Sequence, residues 1–230
     1  HLRPRRQRQM CIRDRQRVER GGEVTQLDGA DYKNLEELYK LAARKGVPIV
    51  RFGSHHKKRE GEETMKAELM EDDDFGLAAE LQMCVGARVI LTRNMWIGAG
   101  LVNGSMGTVR HFVWEPGGDP TSLDPRLRAP YCIIVEFDDV QLNEMAVDGD
   151  GKPYVVNRRR FFEDVDGEDR SRWVPIFHTE GESKSDKNVS RLQFPLVLAW
   201  ALTHWKAQGM SLRLARVSLG ATVALSLIHI

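Results

Sequence analysis

Cysteine is scarce in this 230-residue sequence: Cys11, Cys84 and Cys132 are the only three, with no CxxC spacing and no histidine pairs near them. That excludes a disulfide framework and a cysteine-rich zinc site, and makes a reducing intracellular setting the default. Long apolar runs are also missing. None approaches the roughly 20 residues that span a bilayer, so no membrane partner is expected. The basic N-terminus has no apolar segment of the kind a secretory signal carries. A G-x-x-x-x-G-K-(S/T) phosphate loop is absent, as is an acidic magnesium motif at a strand end. The seven histidines show no metal-ligand spacing. Asp148-x-Asp150-Gly151 lacks the distal glutamate of a calcium loop and reads as a turn. No metal site and no complete catalytic set is expected.

Net charge is small, +1, but it is unevenly distributed. Residues 1–15 hold six arginines and one aspartate, a net of +5, so the remainder carries −4. The two ends are related at the level of DNA. Leu225–Ile230 back-translates to CTG TCT CTT ATA CAC ATC, and the reverse complement in another frame encodes Met10–Asp14. Arg5–Arg15 matches one frame of a transposase adapter used to prepare sequencing libraries. Residues 1–15 and 225–230 are therefore expected to be adapter-derived tails and are set aside from the fold. The competing reading is a genuine basic arm. With the tails excluded, nucleic-acid binding cannot rest on overall basicity and must rest on local motifs.

Between the tails, Asp31–Lys45 reads as a helix with Leu35, Leu38, Leu41 and Ala42 on one face. Asn34 and Glu37 form a candidate capping pair, and Gly46 and Pro48 stop the helix. Val47–Phe52 reads as a short buried strand, Lys57–Asp74 as a charged helix or loop, and Phe75–Leu81 as one or two further helical turns. From Gly86 the pattern shortens: strands at Arg88–Thr92, Thr108–Trp114, Tyr131–Phe137, Tyr154–Val156 and Trp173–Phe177, with a tight Asn103-Gly104 turn. A proline-bearing loop at 115–130 and a polar loop at Glu180–Asn188 separate some of them. Closely spaced short strands predict a small, mostly antiparallel barrel. Phe194–Ala201 is a continuous apolar run, fitting a strand covered on both faces, and Thr203 then opens a helical turn. With Leu214–Leu219 as a further strand, this is βαβ logic.

The most specific stretch is Gln193–Leu212, QFPLVLAWALTHWKAQGMSL. A buried strand explains its apolar half but not Thr-x-x-Lys-x-Gln-Gly at the strand's end. It resembles the strand-to-helix segment of PIF/RecD-type superfamily-one DNA helicases, "PL-x-LAWA-x-T-x-H-K-x-QG-x-(S/T)-L". Pro195, Leu196, Leu198, Ala199, Trp200, Ala201, Thr203, Lys206, Gln208 and Gly209 match. Trp205 stands where the pattern has histidine, and His204 lies one place earlier. A second stretch, Gly86–Asn94 followed by Ala99–Val109, is similar to the family's "GA-x-VMLT-x-N … GLVNG-x-x-G-x-V".

The resemblance covers about residues 78–220. It implies an α/β fold: part of a second RecA-like parallel-sheet domain (16–85 and 191–224) with an inserted small antiparallel Src-homology-three-like β-barrel (86–190). It implies ATP and Mg2+ as cofactors, held mainly by an upstream RecA-like domain of the same parent chain, and single-stranded or forked DNA as partner. Gln208 and Gly209 are then the candidate nucleotide-binding residues. Thr203, His204, Trp205 and Lys206 are the candidate DNA contacts, through a hydroxyl, a stacking indole and a point charge at a helix start. Arg93, Asn94 and Arg110 are further candidates on the barrel, against the plainer reading of solvated side chains. Arg158–Arg160 reads more simply as a charged barrel edge, and Trp114 and Trp173 as core. The implied activity is ATP-dependent, 5′-to-3′ DNA unwinding, of the kind used in repair, recombination and telomere maintenance, in nucleus or mitochondrion if the source is eukaryotic and in cytoplasm otherwise. With no phosphate loop and no final arginine motif, this chain is expected to be inactive alone. Two alternatives are a non-catalytic nucleic-acid-binding module built on the barrel and the helicase part of a transposon-encoded replication protein.

Overall fold

The computed structural model describes residues 16–20, 23–27, 29–58, 71–118, 121, 129–140, 170–203, 216–219 and 226–229. The strand expected at Tyr154–Val156, the turn at Asp148–Gly151, Arg158–Arg160 and the site residues His204, Trp205, Lys206, Gln208 and Gly209 lie outside them. The chain forms two compact units, one from residues 46–197 and one from the flanking segments 1–45 and 198–230.

In the flanking unit, β1 (Gln16–Arg20) and β2 (Glu23–Leu27) pair antiparallel. They lead into helix α1 (Gly29–Lys45). Ala30, Asn34, Leu38, Leu41 and Ala42 are its buried positions, and their three-and-four spacing makes one stripe. Lys33, Glu36, Glu37 and Lys40 interlock by ion pairs elsewhere on the helix. Hydrogen bonds from Lys33 and then Lys40 hold the Glu36 carboxyl down to about 2. The expected cap at Asn34 is corrected: it lies inside the helix, one step along the apolar stripe from Leu38.

The rest of this unit is a three-stranded sheet in the order β13 (Ala201–Thr203), β15 (Ser226–His229), β14 (Arg216–Leu219). Both outer strands run antiparallel to β15, and so parallel to one another across it. The adapter-like residues Ser226–His229 thus supply the middle strand. The apolar run at 194–201 does not make one strand: it breaks at Ala199–Trp200 into β12 (Leu196–Leu198) and β13. Thr203 ends β13, where a helical turn was expected.

In residues 46–197, β6 (Arg88–Leu91), β7 (Met106–Val113), β8 (Cys132–Phe137) and β9 (Trp173–Ile176) form an antiparallel meander, with β12 beside β6. Directly paired residues share a face. Val109, Val135 and Val174 make one row, flanked by Phe137 and by the Ile133–Ile176 pair, and all are buried. Each such side chain contributes roughly 1.5–3 kcal/mol on burial. Gly107 leaves room for β8 beside β7: a Cβ there would fall 2.6 Å from Val135 Cγ1 and 2.7 Å from the Glu136 carbonyl. The other face carries the row Arg88, Thr108, Glu136, Trp173, with Cys132 and Ile134 packed beside Trp173. Trp173 is core as expected, and Trp114 is half-buried beside Phe112.

Two smaller sheets complete the unit. β3 (Val50–Gly53) pairs with β5 (Glu80–Met83), and β11 (Val189–Gln193) lies between β4 (His55–Lys58) and β10 (Thr179–Glu182). Three expectations are corrected here. Phe75–Leu81 is not helical: the short helix α2 spans Asp72–Phe75, and the chain then extends into β5. The polar loop at 180–188 begins as strand β10, and the charged stretch after Lys57 begins as the end of β4. One side chain ties the residues around α2 and β4 to β11. Arg191 of β11 is fully buried, donating to Asp72 Oδ1 (2.6 Å), the Leu77 carbonyl (2.7 Å) and His56 Nε2 (3.0 Å). Its guanidinium lies 4.2 Å from the centre of the Phe75 ring. This buried cation joins α2, β4 and β11, and removing one partner of such a set typically costs about 3–5 kcal/mol.

Candidate nucleic-acid interface

The two motif stretches are about a hundred residues apart in sequence, and the fold brings them together. β6 of the first neighbours β12 of the second, and the Thr92 N–H donates to the Pro195 carbonyl at 2.9 Å. The first stretch then turns on a loop closed by its own backbone. Met95 and Trp96 donate to the Leu101 carbonyl, and Leu101 donates back to Trp96. Asn94 Oδ1 accepts from the Asn103 N–H at 2.8 Å, and Ser105 Oγ donates to the Gly100 carbonyl at 2.8 Å. The asparagine expected to touch DNA therefore spends its carbonyl on fixing the Asn103-Gly104 turn.

Arg93 is placed by a comparable device. Its Nη1 donates to the Glu180 carbonyl and its Nη2 to the Phe75 carbonyl, both at 2.8 Å. The fit depends on Gly181, where a Cβ would meet Arg93 Nη2 at 2.5 Å and the Phe75 carbonyl at 2.7 Å. Arg93 thereby ties β10 to the end of α2.

The second stretch is held from α1. The Trp200 and Ala201 N–H groups donate to Asn34 Oδ1 at 2.9 and 2.8 Å, and Asn34 Nδ2 donates to the Ala201 carbonyl at 2.9 Å. One amide side chain thus completes the backbone hydrogen bonding where the apolar run breaks, standing in for a neighbouring strand. Ala199, Ala201 and Leu202 are buried and Thr203 is half-buried. Of the six site residues expected in this stretch, Thr203 alone lies among the described residues, at the end of β13 just beyond the Asn34 clamp. The role of Asn34 was missed in the sequence. Its signal is an asparagine, a weak helix former, on the apolar stripe four residues before Leu38.

Among the described residues, no group of three or more His, Cys, Asp or Glu side chains could hold a metal ion. Two buried groups are shifted strongly. Burial pushes the Cys132 thiol up to about 12, and burial, aided by nearby His55, holds His178 down to about 4.

Fold and motifs together define an α/β chain with a strand-rich unit set between two flanking segments. In it, two separated helicase-like sequence motifs are hydrogen-bonded side by side. No family model matches the chain. Its sequence relatives are PIF-type helicases. It is 32% identical over 144 residues to the ATP-dependent DNA helicase PIF1 of Rattus norvegicus, a match covering 63% of this chain and 16% of that protein. To the ATP-dependent DNA helicase PIF7 of Trypanosoma brucei brucei it is 33% identical over 142 residues, 59% of this chain and 13% of that protein. The chain thus spans about a sixth of the length of the curated relatives it matches. Among solved structures, the Pif1 helicase of Candida albicans superposes with a TM-score of 0.49 at 22% identity, over 92% of this chain and 43% of that one.

Proposed function

We propose that this chain is a piece of an ATP-dependent DNA helicase: part of a second RecA-like domain (16–85 and 191–224) carrying an inserted β-barrel (86–190). The observation that carries this reading is the 32% identity over 144 residues to a protein named as such a helicase. Its support is the Thr92–Pro195 hydrogen bond, which sets the two helicase-like motifs side by side.

In the proposal, Thr203, His204, Trp205 and Lys206 hold the DNA strand, and Gln208 and Gly209 face the nucleotide. One segment touching both ligands is a physical route from hydrolysis to movement. The relay would begin at the Asn34 clamp, which fixes the strand that ends at Thr203. ATP with Mg2+ would supply the driving free energy, bound mainly by an upstream domain of the parent. The sequence holds no phosphate loop, so this chain alone is expected not to hydrolyse ATP. An intracellular, reducing setting belongs to the same proposal and suits the buried cysteines Cys84 and Cys132.

The test uses the parent protein. Lys206→Ala and Gln208→Ala should each lower DNA-stimulated ATPase activity roughly ten- to a hundred-fold, the worth of one charge-assisted contact. Displacement should be faster on a substrate with a 5′ tail than with a 3′ tail. Unchanged ATPase in both variants removes the site assignments. A parent that binds DNA without DNA-stimulated ATPase replaces the motor with the binding-module reading.

A further inference from the structure

A cavity of about 340 Å³ opens where the chain leaves β7 and re-enters β8, away from both motif stretches. Its lining includes His55 at the start of β4, Glu115 and Pro116 just past β7, Pro130 and Tyr131 just before β8, and His178 between β9 and β10. That volume lies at the low end of small-molecule sites, which run roughly 300–1,000 Å³. Local structure sets the walls. The Gly118 N–H donates to the Glu115 carbonyl at 2.8 Å, with Pro116 and Gly117 (φ +90°) at the two central positions, as a type II turn requires. The Tyr131 N–H donates to the Val113 carbonyl at 2.7 Å, and its ring meets that of Phe177 edge to face, centres 5.4 Å apart. The Tyr131 side chain is nonetheless 43% exposed, so one part of the ring is held and another is open.

The charges here do not cancel. Glu115 is exposed, and among the described residues its carboxylate has no ion-pair or hydrogen-bond partner. No lysine or arginine among the described residues lines the cavity. His178 adds no opposing charge, since burial keeps its imidazole neutral at ordinary pH. One uncompensated carboxylate beside an open tyrosine ring makes an electron-rich site, and the two prolines give it apolar walls. Such a site repels phosphate and attracts a cation. Among cations, a guanidinium suits it best: its planar fork matches a carboxylate, and its flat face stacks on an aromatic ring.

We propose that this cavity is a binding site for a small organic cation, a guanidinium on a short apolar chain, with Glu115 as its counter-ion and Tyr131 as its stacking face. The alkyl part lies against Pro116 and Pro130. The site is separate from the DNA and nucleotide contacts proposed above, and its charge has the wrong sign for them. Its ligand chemistry can arrive in two forms, a free small molecule or the arginine side chain of a peptide.

The test is an amide NMR titration of the 230-residue chain with n-butylguanidinium and, separately, with n-butylurea, its neutral isostere. The amides of Glu115, Gly117 and Tyr131 should shift saturably with the first and stay still with the second. Glu115→Gln should weaken binding roughly ten-fold or more, the worth of a charge-assisted fork. Tyr131→Leu should weaken it too, while Tyr131→Phe, which keeps the ring, should bind as the wild type does. Glu182→Gln removes an exposed acid of β10 that does not line the cavity, and should leave the affinity unchanged. Circular dichroism of each variant confirms its fold. A blocked arginine peptide run beside n-butylguanidinium separates the two sources: tighter binding of the peptide assigns the site to a protein side chain, tighter binding of the free cation to a small molecule. Equal shifts with n-butylurea, wild-type affinity in Glu115→Gln, an equal loss in Glu182→Gln, or no saturable shift with either cation overturns the proposal.

Discussion

At the scale of single residues, Asn34 and His178 carry the sharpest expectations. Asn34 satisfies three backbone groups at a buried strand break, so Asn34→Ala leaves two N–H donors and one carbonyl without partners. Each orphaned group costs about 1–3 kcal/mol, partly relieved by water, so a loss of about 2–3 kcal/mol is expected in urea denaturation. Asn34→Asp should be as damaging, because it faces the Ala201 carbonyl with an acceptor. His178 lies with its ring 3.8 Å from that of Phe194, and among the described residues its buried Nε2 has no hydrogen-bond partner. Its folded pKa of about 4 lies below the ordinary 6.5. The unfolded chain therefore takes up the proton first as pH falls, and stability is full above pH 6.5 and declines toward pH 4. Allowing for partial exposure, the loss by pH 5 is on the order of 1–2 kcal/mol. His178→Phe should flatten that part of the stability profile relative to wild type; an unchanged slope would remove His178 as its cause. Neither role was legible in the sequence, because both depend on neighbours far along the chain. Asn34 next to Glu37 mimics a cap, and only the strand packed against it shows otherwise.

Elements differ in how openly they announce themselves. Helix α1 and strand β7 were legible from a helical or alternating period, and β6, β8 and β9 as short apolar runs rich in β-branched residues or aromatics. Strand β11 alternates too, but its inward positions are Val189, Arg191 and Gln193, two of them polar. A hydrophobic pattern cannot register a strand whose core residue is an arginine. Its neighbours β4 and β10 are equally polar and were lost with it. The motif glycines, by contrast, stand out in the sequence, while their reason lies in the fold. Gly107 is required by the approach of β8, so Gly107→Ala must push Val135 and the Glu136 carbonyl aside. Overpacking of this kind typically costs about 1–3 kcal/mol, readable as a lowered denaturation midpoint. The candidate site was legible as a motif but not as an assembly. The contact of Thr92 with Pro195 and the structural duties of Arg93 and Asn94 required the fold.

For the whole molecule, the consequential fact is that residues 46–197 interrupt the other unit. The bonds between Asn34 and Ala201 join positions 167 apart, and such long-range contacts form late because loop closure must come first. Amide exchange during refolding should therefore protect β7 and β8 before β13. Protection of β13 first would contradict that order. Residues 46–197 contain their own buried core, and Phe52 and Phe194, near the two ends of that span, pack edge to face with ring centres 5.4 Å apart. Its two ends thus meet at one aromatic clasp, which closes the span on itself. A span whose ends are fastened together keeps its own closure whatever is joined to them, so long as the clasp is kept.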